Sequence, residues 1–157
     1  MDNKRVRIVR FDADPTNRLE RLRVQSLEEG YGHVDRLVRD YATGDNRFDR
    51  PGEALFGVYD SGTLVGVGGL NVDPYLADDK VGRVRRVYIR PDRRGRGLGR
   101  ALIDAIADHA RPHFRMLTVR AGRADAAAFY EAIGFQPEPP IEMATHHKWL
   151  GRLPGVA

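Results

Sequence analysis

Apolar residues recur along the chain in two rhythms, one of period two and one near 3.6, and their alternation predicts the order of elements. Val6, Ile8 and Val9 set among arginines predict a short strand over residues 5–11. Asp14-Pro15-Thr16 signals a helix start with Pro15 near the first helical position, and Leu19, Leu22 and Leu27 give that helix an apolar stripe to about Glu29. Gly30 and Gly32 interrupt it. Val34, Leu37, Val38 and Tyr41 then support a second short helix that ends before Gly44, and residues 42–53 read as loop.

Further on, residues 54–59 and 63–72 are β-rich runs joined by Asp60-Ser61-Gly62, the signature of a tight hairpin. Gly66, Gly68 and Gly69 lie inside the second run, where glycine marks a bulge or a close approach to the backbone. After a polar loop comes a strand over 84–89, closed by Pro91. A helix over 98–110 carries Leu98, Leu102, Ala105, Ile106 and His109 on one face and stops at Pro112. The remaining pattern gives a buried-type strand over 116–121, an alanine-rich helix over 124–132 with Gly134 as left-handed terminator, and a last strand near 145–150.

Composition narrows the class. A length of 157 residues predicts a single domain over 1–157, and a net charge of +4 with 41% hydrophobic residues is that of a folded chain. Without cysteine there is no disulfide, thiolate nucleophile or zinc–thiolate site. No apolar run reaches the ~18 residues of a membrane span, and Met-Asp-Asn-Lys-Arg-Val is no secretory signal, so the expectation is a cytoplasmic protein without a membrane partner.

The segment that carries chemistry is Val87-Tyr88-Ile89-Arg90-Pro91-Asp92-Arg93-Arg94-Gly95-Arg96-Gly97-Leu98-Gly99-Arg100, which leaves a strand, alternates glycine with arginine, and enters a helix. Glycines there let backbone N–H groups converge on one point, and the helix N-terminus adds partial positive charge, so the loop suits a phosphate or pyrophosphate. Arg94, Arg96 and Arg100 add full charges. A Rossmann fingerprint is excluded because Arg100 and Leu102 stand where its last glycine would be, and Walker A is excluded by the absence of Gly-Lys-Ser/Thr.

Arg94-Gly95-Arg96-Gly97-Leu98-Gly99 resembles the acyl-CoA loop of the GNAT superfamily of N-acetyltransferases, Gln/Arg-x-x-Gly-x-Gly/Ala at a strand-to-helix junction. Downstream, Ala126-Ala127-Ala128-Phe129-Tyr130-Glu131-Ala132-Ile133-Gly134-Phe135 is similar to that family's later helix, Ala-x-x-x-Tyr-x-x-x-Gly-Phe. The resemblance is clear over 54–135 and weak over the first 50 residues. It implies an α/β (α+β) fold with a central mixed, mostly antiparallel sheet of about six to seven strands flanked by about four helices. It also implies direct transfer of acetyl from acetyl-CoA to a primary amine, with no metal. Val87, Tyr88 and Ile89 would offer backbone groups to the pantetheine arm, Arg94, Gly95, Arg96, Gly97, Leu98, Gly99 and Arg100 would hold the pyrophosphate, and Tyr130 would be general acid toward the departing thiolate. The acceptor would be a small-molecule or peptide amine, and a homodimer is left open.

Two positions depart from the family. Arg123 stands where an asparagine often touches the cofactor arm, and is assigned to a CoA phosphate or to solvent. Arg83 stands where a glutamate often deprotonates the acceptor, and a guanidinium cannot act as base. Glu28, Glu29, Asp73, Glu142, His146 and His147 are then the candidate bases, beside a water chain. Arg83 and Arg85 share one face of their strand. If that face lines the acceptor cleft, it favours an acceptor bearing a carboxylate or phosphate. His109 and His113 are four apart, but Pro112 interrupts the helix that would align them on a metal. Two other readings stand beside the enzyme: a CoA-binding sensor of the same fold, and a nucleic-acid module using the arginines of 83–100. Sparse aromatic residues there oppose the second, so no nucleic acid is expected.

Overall fold

The computed structural model describes residues 5–155. In order it contains β1 (Val6–Arg10), α1 (Glu20–Glu28), α2 (His33–Thr43), β2 (Ala54–Asp60), β3 (Thr63–Val72), β4 (Val81–Ile89), a 3-10 turn (Pro91–Arg93), α3 (Leu98–Ala110), β5 (Met116–Val119), α4 (Ala124–Ala132) and β6 (His146–Trp149). Six strands and four helices result. The first helix starts later than the sequence suggests: the Asp14 carboxylate accepts from the Thr16 amide at 2.8 Å and forms a turn over 14–19, and regular helix follows from Glu20. Leu19 and Leu22 are buried as expected, but Leu27 is 44% exposed, because α1 packs its other flank, through Leu22 and Ser26, on the sheet. β4 begins three residues before its predicted start, since Val81 is already buried in the sheet.

The six strands run in the order β1-β2-β3-β4-β5-β6, antiparallel throughout except for β4 and β5, which α3 connects as a parallel pair. Ser61 (φ 52°) and Gly62 (φ 84°) form the two-residue hairpin between Asp60 and Thr63, with positive φ at both central positions as a type I′ turn requires. The helices bury the two faces of the sheet separately. On one face α3 places Leu98, Leu102, Ile103 and Ile106 against Val58, Val65, Leu70 and Val84; on the other, α1 and α2 place Leu22, Val34 and Leu37 against Leu55, Val67 and Tyr88.

Two irregularities in β4 make room for a site. Its pairing with β5 covers only Val81, Gly82 and Arg83, so residues 84–89 run on with no strand partner on that side. Against β3, Arg85 pairs with Gly69 and Tyr88 with Val67, so β4 carries one residue more than its partner. That is a β-bulge, and it sits opposite Gly68, as the glycines of β3 suggest. Arg86 at the bulge takes φ 60°, a left-handed conformation that costs a non-glycine residue ~1–2 kcal/mol.

Candidate active site

A cleft of about 900 Å³ opens where β4 and β5 part, between the start of α3, the start of α4 and the α1–α2 turn. The phosphate-loop candidate forms one end. Gly95 (φ 75°) and Gly97 (φ 79°) adopt left-handed conformations that no other residue enters cheaply, and Gly97 is the N-cap of α3. The first amide bonded inside the helix is that of Ala101, to the Gly97 carbonyl. The amides of residues 95–100 have no hydrogen-bond acceptor among the described residues. These free donors and the α3 dipole make the loop fit a pyrophosphate.

The arginines around it differ from the sequence expectation. Arg100 lines the cleft without a partner among the described residues, whereas Arg94 is engaged: its two terminal nitrogens donate to Glu29 at 2.9 Å each, and its Nε donates to the Ile89 carbonyl at 2.9 Å. Arg93 is tied to the buried Asp60 at 2.9 Å, anchoring the turn before the loop to the end of β2. Hydrogen bonds from Arg5 first, and from Arg93, lower the Asp60 pKa to about 2. Arg96 is exposed and its side chain is not among the lining groups. Arg123 does line the cleft, stacked over the Tyr31 ring at 5.0 Å.

Tyr130, on α4 beside the start of α3, lines the same cleft. Its ring packs edge-on against Phe129 (5.0 Å) and Phe135 (5.2 Å), so the residue is 6% exposed, and its hydroxyl has no hydrogen-bond partner among the described residues. Burial pushes its pKa well above the ordinary 10. The phenol therefore keeps its proton at neutral pH and can donate it. Beside it Val84, Val87, Ile89 and Leu98 give the cleft an apolar lining.

The α1–α2 side is polar and was largely missed. The His33 Nε2–H donates to the Val87 carbonyl at 2.9 Å, which fixes the neutral tautomer with Nδ1 as lone-pair acceptor; Nδ1 has no partner among the described residues. Burial, then the charges of Arg86 and Arg94, lowers the His33 pKa below its ordinary 6.5, so the ring is neutral at pH 7. Tyr88 donates its hydroxyl to Glu29 at 2.5 Å. Two carbonyls expected to meet a pantetheine arm, those of Val87 and Ile89, are thus held by His33 and Arg94.

None of the carboxylates and histidines expected as base lines the cleft. Glu29 is held by Arg94 first and by Tyr88, which lowers its pKa and makes it a poor base. Asp73 is buried, accepting from Thr118 at 2.5 Å and from Arg83 at 3.4 Å. Arg83 is itself 5% exposed, donating to the Met143 carbonyl at 2.8 Å, and is a structural cross-link. His146 lies between Thr145 and Glu131, His147 is buried beside Trp149, and Glu28 and Glu142 are exposed. The rings of His109 and His113 approach to 5.7 Å, away from the cleft.

The family model of the Acetyltransferase (GNAT) family matches residues 17–135, more than half of the chain. The chain belongs to the GNAT acetyltransferase family. Among solved structures it is similar to a protein from Exiguobacterium sp. 255-15 classed with the acetyltransferases, at 29% identity and a TM-score of 0.80, covering 95% of this chain and 94% of that one. The same fold appears in yncA from Salmonella typhimurium, solved with acetyl-CoA, at 14% identity and a TM-score of 0.68 over 94% and 95% of the two chains. It appears again in a chimera of the spermidine N-acetyltransferase SpeG from Vibrio cholerae with hSSAT, at 18% identity and a TM-score of 0.64 over 93% and 96%. No curated protein matches the chain.

Proposed function

We propose that this cleft binds acetyl-CoA and catalyses direct transfer of its acetyl group to the primary amine of an acceptor. The observation that carries the reading is the run of amides over 95–100 at the start of α3, without acceptors among the described residues, in one cleft with the Tyr130 hydroxyl, which has no partner among them either. Acetyl-CoA supplies an activated thioester whose carbon accepts the amine. In the transfer a C–N bond forms and the C–S bond breaks, leaving one proton to remove from nitrogen and one to deliver to sulfur. Tyr130 holds the proton for sulfur. Its neutral phenol, desolvated by Phe129 and Phe135, is suited to general-acid work of ~10²–10⁴-fold.

His33 Nδ1 takes the proton from nitrogen, directly or through one water, because its Nε2 side is fixed by Val87 and its ring is neutral at pH 7. Residues 84–89 have no β5 partner among the described residues, so an extended pantetheine arm can lie along that side against the backbone groups that His33 and Arg94 leave open. Spermidine, the acceptor in the SpeG name, is a polycation and a poor match for a cleft lined by eight arginines and one aspartate. The reading is tested by thermal unfolding with acetyl-CoA and by thiol release with a panel of amines. Stabilisation by acetyl-CoA together with amine-dependent thiol release supports it; no stabilisation at millimolar acetyl-CoA overturns it.

A further inference from the structure

The eight cleft arginines differ in how well they are neutralised. Arg83, Arg93 and Arg94 each hold a carboxylate within 3.4 Å, and Arg123 has Asp125 at 3.5 Å. Arg85, Arg86, Arg100 and Arg120 have no carboxylate that close among the described residues; Arg100 lies on α3 and Arg120 just past β5, whereas Arg85 and Arg86 stand together at the bulge of β4. Arg85 has no hydrogen-bond or ion-pair partner among the described residues. The Arg86 side chain is only 19% exposed, and the carboxylate it approaches, Asp40, stands 4.0 Å away and is already held through both oxygens by Arg36 at 3.2 Å.

A partly buried cation without a well-placed counter-charge is unfavourable unless something supplies one. Burial, and next the repulsion of Arg85, accordingly pulls the Arg86 pKa below its ordinary value. The left-handed backbone of Arg86 adds strain at the same spot, and such strain clusters at ligand sites. Position matters as well. Arg86 lies three residues before Ile89, ~10 Å along the strand from its end, and the amides of 95–100 come only after the turn that follows. Arg86 does lie beside His33, which donates to the carbonyl of the next residue, Val87.

We propose that Arg85 and Arg86 form an anion subsite for the acceptor, which is a small molecule carrying a carboxylate or phosphate a few bonds from its primary amine. Two adjacent guanidiniums fit the oxygens of either group. An anion held there leaves its amine near His33. The inference rests on the acetyl-transfer reading and names the substrate class for the same cleft.

The test uses the full-length protein saturated with CoA and matched amines that differ in the anion alone: leucine against isopentylamine, and O-phosphoethanolamine against ethanolamine, with spermidine as cationic control. The melting temperature of the CoA complex rises further with at least one anionic member of the two pairs and not with its neutral partner or spermidine. With acetyl-CoA, kcat/KM favours that anionic member by about tenfold or more, the range of a charge-assisted hydrogen bond. The leucine and phosphoethanolamine arms decide between carboxylate and phosphate. Arg85→Gln and, separately, Arg86→Gln raise KM for the anionic acceptor about tenfold while CoA still stabilises the protein as in the wild type. If Arg86→Gln does not fold, Arg85→Gln and the wild-type panel carry the test. A CoA shift that no anionic amine extends, or a preference for the neutral amines or spermidine, overturns the proposal and leaves the acetyl-CoA reading standing. Absence of any CoA shift overturns both.

Discussion

The two walls of the cleft are built on different terms. On the α3–α4 wall the working groups are backbone amides over 95–100, the apolar side chains of Val87 and Leu98, and one phenol, Tyr130. They come from two short, contiguous segments. On the α1–α2 wall the working groups are charged or titratable side chains fixed by partners far away in sequence: Glu29 with Arg94, 65 residues on, and His33 with Val87, 54 residues on. Donor binding is thus assigned to geometry that a local motif can encode, and acceptor chemistry to pairs that exist only after folding.

Breaking the donor wall has the largest expected effect. Gly97→Glu forces a side chain into a left-handed conformation at ~1–2 kcal/mol and places a carboxylate where phosphate is to bind. CoA binding should fall at least ~100-fold. In thermal unfolding, ~100 Kd of CoA stabilises the wild type by ~2.7 kcal/mol, and the variant should keep at most ~0.4 kcal/mol of that at the same concentration. Next comes Tyr130→Phe, which keeps the packing on Phe129 and Phe135. Turnover should fall ~10-fold or more, at least ~1.4 kcal/mol of barrier, with CoA affinity unchanged by calorimetry.

Breaking the acceptor wall should alter the pH profile. With His33 as the proposed base its neutral form is the active one, and its pKa lies below 6.5, so kcat/KM should be level above that value and decline as pH falls through it. His33→Gln removes the level region, and the rate should climb with pH along the acceptor's own amine titration. An unchanged profile in His33→Gln would remove the histidine from the mechanism.

The difference between the walls also explains what the sequence revealed. The Gly95-x-Gly97-x-Gly99 spacing and the Tyr130 helix were readable because a strand-to-helix loop and one turn of α4 fix their own geometry. The hairpin at Ser61-Gly62 and the bulge opposite Gly68 were readable because glycine is needed where they form. His33 left no local signal: it opens α2 after a glycine and acquires meaning only when Val87 arrives from β4. Arg94 was read as free for phosphate, since nothing in its neighbourhood announces Glu29. Asp73 was read as a candidate base because a loop acid after a strand gives no hint of the Thr118 and Arg83 that bury it.

A smaller effect sharpens the contrast at the Arg94–Glu29 ion pair, which joins the walls. Glu29→Gln frees the Arg94 guanidinium from its carboxylate, so CoA should bind a few-fold more tightly at low salt, with a steeper salt dependence, by calorimetry. The smallest concerns stability. The Asp60 carboxyl is lowered to about 2 from an ordinary 3.8, so its contribution is present above about 3.8 and is lost as pH falls toward 2. Asp60→Asn should flatten the acid limb of unfolding in that window and leave CoA affinity nearly unchanged.

The division of labour between the walls is tested most directly by amide chemical shifts during a CoA titration of the ¹⁵N-labelled protein. The account predicts that the largest perturbations fall on the amides of residues 95–100 and on residues 84–89, which β5 leaves uncovered, with small ones over α1. Perturbations concentrated on the α1–α2 turn or along β1 and β2, with residues 95–100 unmoved, would contradict it.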